Sequence, residues 1–163
     1  MLVWGNGGCA AQGRFFERFL AQIASFGYFV IANGAPNGTG QTTAQWMTDA
    51  IDWAVANAGK GAYAAVDASR VAAAGQSCGG IEAYAQASDP RVATIGIFNS
   101  GLLTNYTSIA DDKKPTFYFL GGSTDIAYVN VSRLVSEFVS LLRPRVELHL
   151  LERQQSSQVI FRR

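Results

Sequence analysis

The chain has 163 residues and a mass of 17.5 kDa, which suits one domain with a single hydrophobic core. Hydrophobic residues make up 48% of it and charged residues 15%, a composition that excludes intrinsic disorder. The formal net charge of +1 leaves no basic footprint for nucleic acid, and no apolar run approaches the roughly 20 residues of a membrane span. We therefore expect neither nucleic acid nor a membrane span.

Apolar runs alternate with segments of helical periodicity, which is typical of βα units around a mostly parallel sheet. We predict five strands, at 2–4, 28–33, 70–74, 92–99 and 116–120. Apolar residues at three- and four-residue steps predict helices at about 15–23, 46–57, 80–87 and 129–142, with Gly27 and Gly59 ending the first two. A weak alternation at 145–151 indicates a sixth strand, and 152–163 is predicted to be unstructured. The predicted fold class is α/β, a mostly parallel sheet of about five or six strands with helices on both faces.

The composition changes toward the C-terminus. Glycine does not occur after Gly122, and arginines are concentrated at the end of the chain: Arg143, Arg145, Arg153, Arg162 and Arg163. We therefore divide the chain into a domain at 1–142 and an atypical Arg-rich segment at 143–163.

One motif carries chemistry. Gly75-Gln76-Ser77-Cys78-Gly79 follows the strand at 70–74 and opens the helix at 80–87, which is the strand-turn-helix setting of a G-x-S-x-G nucleophile elbow. A serine on so sharp a turn has strained backbone geometry, and flanking glycines avoid clashes of Cβ atoms. Ser77 is therefore the candidate nucleophile. The alternative is that small residues only pack a tight crossing of strand and helix.

A nucleophilic serine needs an oxyanion hole, built from the N–H after the nucleophile and an N–H in the loop after an earlier strand. Cys78 supplies the first donor, and Gly8 or Cys9, after the strand at 2–4, supplies the second. Two cysteines flanking one oxyanion would come within the Cα separation of a disulfide, about 4.4–6.8 Å. A Cys9–Cys78 disulfide and two small buried thiols are both open at this point.

The remaining triad roles have one candidate each. Asp125 follows the strand at 116–120 and is positioned for the acid, although an Asx-turn or helix N-cap explains an aspartate there equally well. His149 is the chain's single histidine and thus the candidate base. It lies in an alternating stretch without a glycine-rich loop, so an ordinary surface or partly buried histidine is the competing interpretation.

Four segments, 4–9, 31–36, 75–80 and 121–128, together resemble fungal secreted α/β-hydrolases of the esterase/lipase type, distantly similar to polyester-degrading cutinases. The resemblance spans about residues 2–128. It implies an α/β-hydrolase fold, Ser77 as nucleophile, Asp125 as acid, and the amides of Cys9 and Cys78 as oxyanion donors. It also implies secretion and a carboxylic ester substrate, either a small molecule or lipid-like.

Members of that family carry a signal peptide and two further strands upstream, and a Gly-His-Gly-Gly loop with a closing helix downstream of the acid. None of these segments occurs in the printed sequence. The resemblance therefore implies an incomplete domain, truncated at the N-terminus and aberrant at the C-terminus, with impaired ester hydrolysis. Without a signal peptide, the chain as given is expected in the cytoplasm.

Two other functions are weighed against ester hydrolysis. The segment 5–10 formally fits the G-x-G-x-x-A dinucleotide fingerprint, but Asn33 stands where a ribose-binding acid is expected. The other alternative is an inactive hydrolase-like fragment. Ester hydrolysis needs no cofactor, and one histidine with two distant cysteines cannot supply the ligands of a zinc site.

Overall fold

The computed structural model describes residues 1–101 and 114–129 together with the backbone of two strands at 149–152 and 158–161. Its centre is a parallel sheet of five strands: β1 Leu2–Gly5, β2 Val30–Ala32, β3 Val71–Gln76, β4 Val92–Phe98 and β5 Thr116–Leu120. Two antiparallel strands, β6 His149–Glu152 and β7 Gln158–Phe161, extend it beyond β5. The order across the sheet is β2-β1-β3-β4-β5-β7-β6. The predicted α/β class is confirmed.

In the described part of the chain, three α-helices connect the parallel strands: α1 Glu17–Ala24, α2 Ala44–Asn57 and α3 Cys78–Tyr84. Short 3-10 turns lie at Gly7–Cys9 and Gly61–Tyr63. Gly27 and Gly59, which follow α1 and α2, have φ angles of 88° and 75°, as expected of residues that end a helix in the left-handed region. None of the helices in the described ranges is long and apolar enough to cross a membrane.

The strands bury opposite faces because their side chains alternate. Val3 of β1 packs on one face with Met47 and Ile51 of α2, whereas Leu2 and Trp4 pack on the other face. Leu20 of α1 packs on this second face. Partly buried apolar side chains surround it: Phe16, Ile23, Val30, Ala32, Ala72 and Phe98. Helices therefore cover both faces, and the carboxyl ends of the parallel strands share one edge of the sheet.

Most predicted boundaries differ from the structure by one to three residues, and the larger differences lie in α3 and near the C-terminus. The helix expected at 80–87 ends at Tyr84, and the chain continues in tighter turns, with the Gln86 N–H donating to Ala83 O at 3.0 Å. The expected strand at 145–151 appears as β6. The prediction that 152–163 is unstructured is wrong, because β7 lies within it and pairs with the free edge of β5. The helix predicted at 129–142 lies outside the described residues except at its first position.

Candidate active site

Ser77 occupies the sharp turn between β3 and α3. Its backbone has φ 52° and ψ −120°, a conformation that non-glycine residues rarely adopt. The turn is held on both sides of the serine: its N–H donates to Phe98 O at 3.0 Å, and its carbonyl accepts from the Gly80 N–H at 2.9 Å and the Ser100 hydroxyl at 2.5 Å. Among the described residues its Oγ has no hydrogen-bond partner. Ser77 thus presents a free hydroxyl on a rigid turn.

The motif requires glycines because neighbouring residues approach its backbone too closely to leave room for a Cβ atom. A Cβ on Gly75 would overlap the backbone of Gly79, and a Cβ on Gly79 would overlap that of Gly5. A Cβ on Gly80 would lie 2.5 Å from the Ser100 side chain. The small residues do pack a tight crossing, as the alternative interpretation holds. Packing alone, however, does not require a positive φ at a residue with a side chain, and Ser77 has one.

Residues with a strained backbone conformation lie close together at this edge of the sheet. Among the described residues, the non-glycine positions with positive φ are Cys9 at 48°, Ser77 at 52° and Asn99 at 43°. They follow β1, β3 and β4, which are neighbours in the sheet. Such strain costs about 1–3 kcal/mol per residue, persists where surrounding structure imposes it, and clusters at functional sites. The carboxyl edge of β1, β3 and β4 is therefore the candidate active site.

Asn99 and Ser100 belong to this site although the sequence analysis did not find them. The Asn99 N–H donates to Phe119 O at 2.8 Å, and its buried Oδ1 has no partner among the described residues. Ser100 is buried and holds the Ser77 carbonyl. The signal available in the sequence was a pair of polar residues directly after an apolar strand, but only the pairing of β4 with β3 places them beside Ser77.

A disulfide joins Cys9 to Cys78, with their Cα atoms 5.1 Å apart. The predicted bond is confirmed, and the alternative of two buried thiols is wrong. It connects the residue after the nucleophile to the loop after β1, which we call the oxyanion loop and define as residues 5–9. The oxyanion loop is also held by Asn6, whose Nδ2 donates to the carbonyls of Ala10 and Gln12 at 2.8 and 3.0 Å. The loop is therefore fixed before any substrate arrives.

The three candidate oxyanion donors differ in availability. Cys78 is the first residue of α3, so its amide has no acceptor within the helix. The Cys9 amide already donates to Asn6 O at 3.1 Å, whereas the Gly8 amide donates to no described acceptor. The pair best placed to receive a developing negative charge is therefore Cys78 with Gly8, and Cys9 contributes through its disulfide.

Asp125 lies at the same edge of the sheet, after β5. Its Oδ1 accepts from the Ala127 N–H at 2.7 Å, which is the Asx-turn that the sequence allowed as an alternative. Its carboxylate also lies against Gly121, where a Cβ would be 2.6 Å from Oδ2. The aspartate is half-buried. The structure thus gives Asp125 a local structural role and leaves it two strands away from β3 in the sheet order.

His149 is not brought to Ser77. It is the first residue of β6, where it pairs with Phe161 at the edge of the sheet. Four strand intervals separate β6 from β3, which at the roughly 4.8 Å spacing of neighbouring strands is about 19 Å. A general base needs hydrogen-bond reach of the hydroxyl that it deprotonates, about 2.6–3.2 Å or one water.

The loop after β1 is a poor dinucleotide site. A pyrophosphate binds at the N-terminus of the helix that follows the glycines. Here a 3-10 turn follows β1, Cys9 is bonded to Cys78, and α1 begins only at Glu17. In the described ranges no group of three or more histidine, cysteine, aspartate or glutamate side chains could hold a metal ion.

The most deeply buried ionisable side chain near the site is Glu82 of α3, which the sequence analysis did not single out. It is 4% exposed. Burial raises the pKa of Glu82, while hydrogen bonds from Thr42 and Asn33 oppose that rise. No sequence signal marks it, because its burial depends on residues some 40 to 50 positions earlier in the chain.

The chain matches no protein-family model and no curated protein significantly. An extracellular α/β-hydrolase from a Paenibacillus species aligns with 62% of this chain and 40% of its own length, at 16% identity and a TM-score of 0.41. A metagenome-derived lipolytic enzyme aligns with 67% of this chain and 45% of its own length, at 23% identity and a TM-score of 0.44. A thioesterase domain from the curacin biosynthetic pathway aligns with 96% of this chain and 62% of its own length, at 11% identity and a TM-score of 0.43.

The chain therefore spans 40% to 62% of the length of these solved structures. Similarity at this level says nothing about activity. The fold assignment comes from the molecule itself: a parallel sheet covered on both faces, with a strained serine between a central strand and a helix, is the architecture of part of an α/β-hydrolase.

Proposed function

We propose that this chain carries the nucleophile half of a serine hydrolase that acts on carboxylic esters through an acyl-enzyme on Ser77. The observation that carries the proposal is the elbow. Ser77 keeps a positive φ of 52°, its hydroxyl has no partner among the described residues, and a disulfide ties the following residue to the neighbouring loop. Strain of this kind is maintained only where surrounding structure imposes it. Packing of the crossing would be satisfied by glycine or alanine at that position.

In the proposed reaction, Ser77 Oγ attacks the acyl carbon and the carbonyl electron pair moves onto oxygen. The N–H groups of Cys78 and Gly8 stabilise the oxyanion, which then collapses and expels the alcohol. The proton of Ser77 leaves with the alcohol, and water subsequently releases the acid. In a complete triad a histidine relays these protons while an aspartate orients it.

The proposal gives His149 no role, since β6 lies about 19 Å across the sheet from β3. Protons then pass through water, and we expect slow turnover. Serine hydrolases that lack a triad member keep roughly 10³–10⁴-fold catalysis over water from the oxyanion hole and binding. Esters with a good leaving group, such as p-nitrophenyl esters, should react, because they need little help from a general acid.

Three features support a secreted esterase for small or lipid-like esters, as in the fungal and cutinase-like family that the sequence resembles. A stable disulfide suits an oxidising compartment. Ile126, next to Asp125, is 94% exposed, and Val129 is 70% exposed, so apolar surface lies beside the candidate acid. Tyr128, in the same turn, adds a half-buried aromatic ring.

Turnover of p-nitrophenyl butyrate by the purified chain tests the proposal, with Ser77→Ala and His149→Ala beside it. We expect Ser77→Ala to abolish the acyl-enzyme and to lower the rate to what the oxyanion hole and binding alone contribute, and His149→Ala to leave the rate unchanged. Ser25→Ala, at an exposed serine after α1, is the matched control. A folded wild type that never exceeds buffer identifies the inactive alternative. Equal losses in Ser77→Ala and His149→Ala would instead show a working triad.

A further inference from the structure

Glu82 is a buried carboxyl directly beneath the oxyanion loop. It lies on α3, one turn after Cys78, and is 4% exposed. Its Oε1 is 2.7 Å from the Thr42 hydroxyl and its Oε2 is 3.4 Å from the Asn33 amide nitrogen. Oε2 also faces the first residue of the loop, since a Cβ on Gly5 would lie 2.9 Å from it. The side chain thus packs against β1 itself.

Each oxygen of this carboxyl reaches the oxyanion loop through one intermediary. Thr42 contacts the Cys9 carbonyl twice, with its N–H at 2.7 Å and its hydroxyl at 3.2 Å. Asn33, the second intermediary, accepts at its carbonyl from Asn6 Nδ2 at 3.2 Å. Glu82 therefore connects the helix that carries the nucleophile to both ends of the 3-10 turn in the loop.

The proton count of this network favours a neutral carboxyl. Thr42 has one hydroxyl proton and two acceptors within reach, Glu82 Oε1 and Cys9 O. In the structure the hydroxyl donates to Glu82 Oε1 at 2.7 Å; a protonated Glu82 would instead donate to the Thr42 oxygen and release the hydroxyl proton to Cys9, so that every member is satisfied. An ionised Glu82 takes the Thr42 proton for itself and leaves the Cys9 carbonyl with the backbone N–H alone.

No countercharge in the described part of the chain favours the ionised form. The groups facing Glu82 are neutral: Thr42 from the loop before α2, Asn33 after β2, Gly5 of β1 and the side chain of Met47 of α2. The acidic residues of α2 are exposed and bonded elsewhere, Asp49 to Gln45 and Asp52 to Arg91. A buried charge without a partner is costly, so burial raises the pKa of this carboxyl.

We propose that Glu82 is a positioning residue of the hydrolase site, which fixes the oxyanion loop through Thr42 and Asn33 so that its amides face the developing charge. The part of this inference that concerns catalysis rests on the proposed function. The part that concerns the loop rests on the contacts alone. The two are therefore tested by separate measurements.

Glu82→Gln and Glu82→Ala are the informative variants, and Gln86→Leu is the matched control. Glutamine has nearly the same shape and keeps a donor for Thr42, whereas alanine removes the connection. Gln86 is equally buried at 3% exposure and follows Glu82 by one turn. It bonds the Thr48 hydroxyl and the carbonyls of Ala44 and Glu82, and none of these bonds reaches the oxyanion loop. The control thus reports what any buried polar substitution does here.

Removal of a direct oxyanion donor costs roughly 10²–10³-fold in kcat, so we expect about tenfold from the indirect effect of Glu82→Ala, with KM nearly unchanged. Hydrogen-exchange mass spectrometry should show faster amide exchange in peptides covering residues 5–9. Glu82→Gln should restore both quantities and should also retain kcat as pH rises through the raised pKa of Glu82, where the wild type loses it. Gln86→Leu should change neither, even at an equal loss of stability.

Equal effects of Glu82→Ala and Gln86→Leu on kcat and on loop exchange overturn the proposal, and so does unchanged loop exchange in Glu82→Ala. If Glu82→Ala does not fold, Glu82→Gln decides: a loss of kcat with rising pH identical to that of the wild type overturns the role. If the wild type shows no ester turnover and no acylation of Ser77, the proposed function fails. Loop exchange then decides the position of Glu82 by itself.

Discussion

The carboxyl edge of the sheet has two halves that are held very differently. At β1 and β3, the elbow and the oxyanion loop share a disulfide and a dense set of backbone and side-chain hydrogen bonds. At β5, Asp125 is held by its own Asx-turn, and the next strands are the antiparallel pair β7 and β6. The nucleophile half is preorganised, whereas Asp125 follows a strand two positions from β3 and His149 lies on a strand four positions from it.

The largest expected effect comes from removing the disulfide that joins the elbow to the oxyanion loop. Replacing both Cys9 and Cys78 by alanine opens a loop closed over 69 residues, which by chain entropy costs about 4 kcal/mol of unfolding free energy. It should also free the oxyanion loop from the elbow and lower ester turnover. Urea unfolding with and without reductant measures the loss. A double variant as stable as the oxidised wild type would show that hydrogen bonds alone hold this half.

Replacing a glycine of this half by alanine should lower the free energy of unfolding by a smaller amount, which depends on the space around that glycine. Gly79→Ala places a Cβ against the backbone of Gly5 and should cost about 2–3 kcal/mol, as overpacked sites do. Gly8→Ala meets no atom within 4 Å and carries only the strain of φ 62°, about 1 kcal/mol. Thermal melts of the two variants give the order. The reverse order would contradict the close approach of β1 to α3.

The third prediction concerns Glu82 and the pH dependence of the free energy of unfolding. Folding raises the pKa of Glu82 by burial, so its protonated form stabilises the protein. That contribution is complete below the ordinary value of 4.5 and is lost as pH rises through the raised value. We expect Glu82→Gln to lose less stability than the wild type over this rise in pH. Parallel stability curves from urea titrations across that range would contradict a buried neutral carboxyl.

The smallest expected effect concerns Asp125, which follows β5 in the second half of the edge. Asp125→Asn keeps an acceptor for the Ala127 N–H, so the Asx-turn and the stability should be preserved, while Asp125→Ala should cost about 1 kcal/mol. Because no histidine is brought to Ser77, Asp125→Asn should also leave ester turnover unchanged. Melting temperatures and p-nitrophenyl butyrate kinetics check both statements. A large drop in kcat for Asp125→Asn would show that a base does reach this aspartate.

The sequence was sufficient where local sterics impose the structure. The elbow around Ser77 and the five parallel strands follow from glycine spacing and apolar periodicity, whereas the sequence left the disulfide open against two buried thiols. Asn99 and Glu82 could not be found in this way. Asn99 becomes part of the site only through the pairing of β4 with β3, and Glu82 resembles any acidic helix residue until Thr42 and Asn33 close over it.

The strand β7 was missed for a related reason. Its four residues have no turn signal of glycine or proline on either side, and they pair with β5 across nearly 40 intervening positions. Such non-local pairing is decided by the free edge of a sheet, which a single segment does not reveal. The position of His149 at that edge therefore became clear only from the strand order.

Covalent labelling of Ser77 tests the central claim most directly. The folded chain is treated with a fluorophosphonate or with p-nitrophenyl acetate, and the modified peptide is identified by mass spectrometry, with Ser77→Ala and Glu82→Gln in parallel. We expect one adduct, on Ser77, in the wild type and Glu82→Gln and none in Ser77→Ala. A folded wild type that remains unlabelled, or labels equally at other serines, would contradict a preorganised nucleophile.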